Sequence, residues 1–449
     1  MQSKKQFCNL IFRIISRATT AALAMATVFA LTFVLTHSAQ AQTFKVIHNF
    51  SGGGDGGVPT AGVIMDEAGN LYGTTCGSLC GYGGGNSGNV FKLTHKNSAW
   101  IINPLYTFSG GNDGGSPGAT VVFGPDGNLY GTTYYGGGDG CGGSGCGTVF
   151  QLKPYPTACK TAICGWQETV LYRFTGGSDG ATPGRGDLIF DKAGNLYGTA
   201  QGGGNQAGVC SEIGGCGVVF ELTPSNGGWT ESVLYSFTGG SDGAAPPGGV
   251  IFNNIGNLYS TTTFGGNLDC VNSWGLGCGT VFELTPSGQG WTENVLYTFQ
   301  NGNDGRGWPY VGLIFDNSGN LYGTTVNGGA NGGGSVFKLT PSNGGWTFAT
   351  SFSFPGGFDT AGPEASLTMD AAGNLYGTTI GGGYSTNGTV FKLTASGGGW
   401  TYTDFYDFSG EYDGGSPQSN VILDANGNLY GTAVDGQNGS GVVWEITFP

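Results

Sequence analysis

Apolar positions in this chain fall in short runs separated by turn-forming residues, and the runs recur in sets of four. In one set, 249–252 is a short apolar run, and 253–257 is a turn rich in Asn and Gly. A second run covers 258–262, and a Gly-rich loop containing Cys270 and Cys278 follows. A third run covers 279–285, a Pro-Ser-Gly turn follows, and 291–299 is the fourth run. Runs this short, rich in β-branched and aromatic residues and bounded by Gly, Pro, Asn and Ser, predict strands. No window sustains a 3.6-residue period, so almost no helix is expected. Asp-x-x-Gly-Asn, as at 66–70, pairs a side-chain acceptor with a Gly free to take positive φ, which predicts a tight hairpin between the first two strands. Asp66, Asp191, Asp316, Asp370 and Asp424 open these turns, and Gly124 and Asn253 stand in the other two.

The second run is the most regular element. Gly-Asn-Leu-Tyr-Gly-Thr-Thr or a close variant occurs at 69–75, 127–133, 194–200, 256–262, 319–325, 373–379 and 427–433. Seven four-stranded units, 54 to 67 residues apart, predict an all-β, seven-bladed β-propeller. The expected blades are 61–108, 119–174, 186–237, 248–299, 311–354, 364–408 and 419–449, the last completed by 43–50. The run 44–50 reads as a fourth strand without earlier partners, and 441–447 as a third strand without a successor. Their pairing would close the ring without a free edge. Six fourth strands begin with a Trp eight residues before a closing Phe, from Trp100/Phe108 to Trp400/Phe408. An even spacing places both on one strand face, where they are expected to pack between blades.

Composition adds an address. Residues 1–41 carry a basic start (Lys4, Lys5, Arg13, Arg17), an apolar run at 21–35 and Ala39-Gln40-Ala41, the pattern of a cleaved signal peptide. Four of the 15 basic residues and none of the 29 acidic ones precede Gln42, which leaves 11 against 29 and a net charge of −18. That balance argues against nucleic acid as a partner. No later segment is apolar enough to span a membrane. Beyond Cys8, ten cysteines fall into close pairs: Cys76/Cys80, Cys141/Cys146, Cys159/Cys164, Cys210/Cys216 and Cys270/Cys278. In an exported chain with only His48 and His95 as partners for a metal, these predict disulfides rather than zinc. The expected localisation is secreted, extracellular or periplasmic, as a monomer.

Strand alternation sends the second-to-third loops and the blade connectors to one rim, and these loops vary most and hold four of the five Cys pairs. Function is expected there. Each connector carries an Asp: Asp55, Asp113, Asp179, Asp242, Asp304, Asp359 and Asp413. An Asp followed by Gly forms a turn, and the competing reading is a ring of Ca²⁺ ligands. Tyr82, Tyr134, Tyr135, Phe264, Trp274 and Tyr384 lie in the loops and suit sugar stacking or protein contact. With two histidines after the leader, a His-based triad is disfavoured. Glu212, Asp269 and Asp139 leave a carboxylate pair for sugar hydrolysis open.

The units GNLYGTT…GTVFKLTP…GGW, clearest at 370–379 with 388–394 and at 316–325 with 335–341, resemble the Gloeo/Verruco (GloVer) tandem repeats of exported bacterial proteins. The resemblance covers essentially everything after the leader and implies a propeller-like fold, often with an anchoring signal at the end. This chain ends at Pro449 without one, which leaves attachment to a surface open. It implies no catalytic residue. The expectation is a non-catalytic module that binds extracellular glycan or protein on the loop-rich rim. The alternatives are a polysaccharide-degrading enzyme and a structural cell-surface protein. No cofactor is expected beyond Ca²⁺.

Overall fold

A computed structural model describes residues 42–77, 87–155, 165–270, 275–288, 290–300, 304, 308–355 and 362–449. Seven four-stranded antiparallel sheets form the seven blades of a propeller, and Phe44–Ile446 is one unit. In the blade built of Val63–Met65, Leu71–Thr75, Asn89–Lys96 and Ala99–Thr107, strand order follows sequence order, as in five others. In the last sheet Thr43–Asn49 takes the fourth place beside Val442–Thr447, which closes the ring as expected. Phe50 N–H donates to Gly441 O at 3.0 Å, and Val58 N–H to Ser440 O at 2.8 Å. Among the described residues helical turns are few and short, such as the 3-10 turn Gly208–Glu212.

Every second strand is buried along its whole length because it lies between neighbouring strands and between neighbouring blades. Its Leu is fully buried, for example Leu71 and Leu258. Where this strand carries Gly, a Cβ would crowd the third-strand aromatic, as on Gly73, where it would stand 2.7 Å from Phe91 Cζ; the fourth blade has Ser260 there, whose hydroxyl donates to Gly249 O at 2.9 Å. Its Tyr turns back to the hairpin, where Tyr72 Oη donates to Asp66 at 3.0 Å. Asp66 Oδ1 also accepts the N–H of Ala68 and Asn70, the expected hairpin device, and Asn253 does the same in the fourth blade. Where Gly124 stands in the second blade, Asp126 accepts from Asn128 and Tyr130 instead.

The Trp and Phe of the fourth strand do pack between blades, but not on one face. Register shifts place one extra fourth-strand residue in six blades, for instance Leu105, skipped between Phe91↔Pro104 and Val90↔Tyr106. This β-bulge reverses the side-chain alternation between the Trp and the closing Phe. Trp166 therefore meets Tyr72 of the preceding blade at 6.5 Å between ring centroids. Phe174 meets Phe220 of the following blade at 5.2 Å. The same pairs recur around the ring, from Trp100–Tyr430 and Phe50–Phe91 at the closure to Phe408–Trp444. Six blades thus grip one neighbour with their Trp and the other with their Phe, while the closing strand Thr43–Asn49 carries no Trp.

A further inter-blade bond comes from the first Thr of the second strand. Thr74 Oγ1 donates to Ala119 O of the next blade at 3.0 Å. Thr199, Thr261, Thr324, Thr378 and Thr432 donate in the same way. Thr132 is the exception, its buried hydroxyl without a partner.

Candidate ligand site at the channel mouth

The connectors build the site. After the fourth strand, the connector Asp closes a turn wherever it is described: Asp113 accepts from Ser109 N–H at 2.8 Å, from Ser109 Oγ and from Tyr106 Oη at 3.0 Å. Asp179, Asp242, Asp304 and Asp413 each accept from the equivalent N–H and Tyr hydroxyl, and Asp55 pairs with His48 at 3.3 Å where the others have Tyr. The next residue is Gly with good reason: a Cβ on Gly114 would lie 2.4 Å from Thr133 Oγ1. The residue before the connector Pro then takes positive φ in every blade: Val58, Ser116, Thr182, Ala245, Trp308, Gly362 and Ser416. Pre-proline residues avoid the helical region, and positive φ costs a side chain energy, so each joint is held by packing and hydrogen bonds on both sides. Ser116, for example, donates its N–H to Ser87 O and accepts from Tyr134 N–H. The strained joint aims the residue after Pro at the axis.

That residue varies around the ring: Thr60, Gly118, Gly184, Pro247, Tyr310, Glu364 and Gln418. All but Pro247 line a cavity of about 560 Å³, together with Tyr134, Tyr135, Arg185 and Ile380. The cavity is the mouth of a channel. Below it a narrower space is lined by the residues that lead into the innermost strands, including Arg185, Asp187 and Asn420.

Arg185 and Asp187 owe their places to one extra residue. From connector Pro to the residue opening the first hairpin is seven positions in six blades, as from Pro59 to Asp66, and eight from Pro183 to Asp191. The insertion lies where Thr132 would find its carbonyl, which accounts for that hydroxyl's missing partner. Asp187 instead accepts Thr120 N–H at 2.8 Å across the same boundary. Its side chain is exposed to the narrower space that it lines, and the surrounding protein pushes its carboxyl above its ordinary range. The Arg185 guanidinium lies 4.8 Å from the centre of the Tyr310 ring. Burial raises the Tyr310 hydroxyl and the Glu364 carboxyl above their ordinary ranges, with Arg185 pulling both the other way. Tyr134 and Tyr135 form an edge-to-face pair at 4.7 Å.

Of the loop aromatics singled out from sequence, Tyr134 and Tyr135 line the cavity. Phe264 packs against the core between the third and fourth blades, and Tyr384 is 96% exposed outside the cavity. Tyr82 and Trp274 lie outside the described residues, as does Asp359. The other connector Asp side chains are occupied in their turns, and no three His, Cys, Asp or Glu side chains gather as a metal set among the described residues. Disulfides join Cys141–Cys146, Cys210–Cys216 and Cys270–Cys278. The first two press on the connector glycines: a Cβ on Gly176 would stand 2.8 Å from both sulfurs of its disulfide, and one on Gly239 would stand 2.8 Å from Cys216 Sγ. Cys76 is also disulfide-bonded, and Cys80, Cys159 and Cys164 lie outside the described residues. No helix among the described residues is long and apolar enough to cross a membrane.

Sequence reading missed Arg185, Tyr310, Glu364 and Gln418. For Tyr310, Glu364 and Gln418 the signal was the variation of the residue after the connector Pro, and for Arg185 it was the extra residue between Pro183 and Asp191.

Among solved structures, the extracellular domain of a protein described as a one-component system from B. thetaiotaomicron has a TM-score of 0.51 at 10% identity, covering 90% of this chain and 40% of that one. A protein of unknown function from Dyadobacter fermentans has a TM-score of 0.43 at 12% identity, covering 90% and 97%. A gluconolactonase from Xanthomonas campestris has a TM-score of 0.35 at 15% identity, covering 73% and 92%. The first likeness concerns the fold alone. No curated protein matches the chain. The Gloeobacter/Verrucomicrobia repeat matches residues 18–274 and 271–449, and with the repeated blades this places the chain in that repeat family.

Proposed function

We propose that this protein is an exported, non-catalytic binding module that takes a saccharide at the channel mouth. The observation that carries the reading is the cavity of about 560 Å³ in which Tyr134, Tyr135 and Tyr310 stand beside Arg185, Glu364 and Gln418. Flat rings beside a few fixed polar groups suit the apolar face and hydroxyls of a sugar, and the volume falls in the range of small-molecule sites. A flat protein epitope needs a broader surface than this concave mouth offers.

The test is a glycan array with the secreted chain, followed by product analysis on every hit. Binding without turnover supports the reading. Tyr310→Ala is expected to weaken a bound glycan about tenfold through lost ring contact. A released product would instead favour a glycan-degrading enzyme, for which the Glu364 and Asp187 carboxyls are the candidate pair. Failure on all glycans, with capture of a protein partner abolished by the same variant, would overturn the saccharide reading.

A further inference from the structure

We propose that the saccharide taken at this mouth is an acidic one, a uronate or another carboxylate-bearing sugar, with Arg185 receiving the carboxylate. The inference rests on the reading of the cavity as a saccharide site and narrows its ligand class.

Among the described residues Arg185 is the one cation lining the cavity, in a chain that carries 11 basic against 29 acidic residues after residue 41. Nothing in the repeat requires it. It arrives with the one-residue insertion in a single connector, and that insertion leaves Thr132 without the inter-blade bond that the six other blades make. The spacing from connector Pro to first hairpin departs from its rule in this blade alone, and departures of this kind concentrate where a ligand is met. The guanidinium is held, not spent. It lies over the Tyr310 ring at 4.8 Å, and among the described residues it forms no ion pair. Its edge is left for a planar anion, which an arginine fork binds through two parallel hydrogen bonds.

The rest of the lining fits the remainder of such a sugar. Glu364 and Gln418 offer partners for ring hydroxyls, and the paired rings of Tyr134 and Tyr135 form a wall for the pyranose face.

Isothermal titration of the secreted chain with galacturonate and glucuronate, and with di- and trimers of each, is compared with galactose and glucose and their oligomers. The acidic series is expected to bind at least about tenfold tighter. Arg185→Gln should erase that preference, and Arg185→Lys should recover only part of it because the fork is lost. Unchanged melting temperatures show that both variants fold. Equal or tighter binding of neutral sugars, or a preference for acidic sugars that survives Arg185→Gln, overturns the inference and leaves the saccharide reading standing. No binding of any saccharide, acidic or neutral, overturns both.

Discussion

A single hydroxyl records how tightly the repeat is specified. Thr74 donates to Ala119 O across a blade boundary, and Thr132, its counterpart one blade on, donates to nothing. The two threonines share sequence context, strand position and burial, so they form a matched pair for measuring one hydrogen bond. Thr74→Val is expected to cost about 1 kcal/mol, because it removes a buried bond and strands the carbonyl. Thr132→Val should be neutral or slightly stabilising, since a methyl replaces a hydroxyl that is already unsatisfied. Urea denaturation of both variants checks this, and a similar loss in each would show that the insertion at Arg185 does not displace the acceptor. The insertion was legible in principle, as eight positions from Pro183 to Asp191 against seven elsewhere. Its consequence was not, because only the folded ring shows that the extra residue points at the axis and meets Tyr310 from two blades away.

At the scale of the blade, the fourth strand shows what pattern alone misses. The bulge residues, Leu105, Leu171, Leu234, Leu296, Ser351 and Phe405, carry no common breaker, and four of them simply extend an apolar run. Counting by twos from Trp to Phe therefore assigns one face where the backbone provides two. The interface this creates has a slot two residues after each Trp. Phe348 and Tyr402 fill it by stacking on Tyr297 and Phe352 of the preceding blade, and Phe44 does so on Tyr406. Glu168, Glu231 and Glu293 occupy the same slot in three consecutive blades, each with a buried oxygen lacking a partner. Burial first, then the charge of Asp113, Asp179 or Asp242 respectively, pushes each carboxyl up to about 7 from 4.5. The folded ring thus holds protons that the unfolded chain releases, so stability falls as pH rises from about 4.5 to about 7 and stays lowered above. Replacing all three by Gln should flatten that slope. It should stabilise the protein at pH 8 by about 1 kcal/mol per site at most, since the groups are half-exposed and screened. Thermal melts of the parent and the triple variant across pH 5 to about 8 test it. A parent whose melting temperature rises through this window would refute the assignment.

At the same interfaces the closing Phe is fully buried and has no such titration. Phe299→Ala opens a cavity against Phe337 and Phe348 and is expected to cost about 3–5 kcal/mol, read from the shift in denaturation midpoint. Loss of less than about 1 kcal/mol would mean that the neighbouring blades close the gap.

For the molecule as a whole, ring closure ties the two ends of the repeat together, and it was the most legible feature because it follows from counting. A lone fourth strand at 44–50 and a lone third strand at 441–447 have each other as partners in a closed ring, whereas a linear stack would leave both open. The fold adds the energetics. Phe44 stacks on Tyr406 at 3.6 Å and lies within 6.3 Å of Trp444, while Phe50 meets Phe91 at 5.2 Å. This one strand therefore touches the sixth, seventh and first blades. A chain beginning at Gly52 loses those contacts and exposes the edge of Val442–Thr447, an unpaired strand that invites pairing with another chain. The expected result is a melting temperature lower by more than 10 °C, on the order of several kcal/mol, together with concentration-dependent association in size-exclusion chromatography. A synthetic peptide of residues 42–51 added in trans should recover much of the stability and return the chain to its original elution volume. Phe44→Ala in that peptide should weaken the rescue, because the stacked ring rather than the backbone ladder alone docks the strand. A truncated chain that melts within a degree or two of the full one would show that the six complete blades, not the closure, set the stability of the ring.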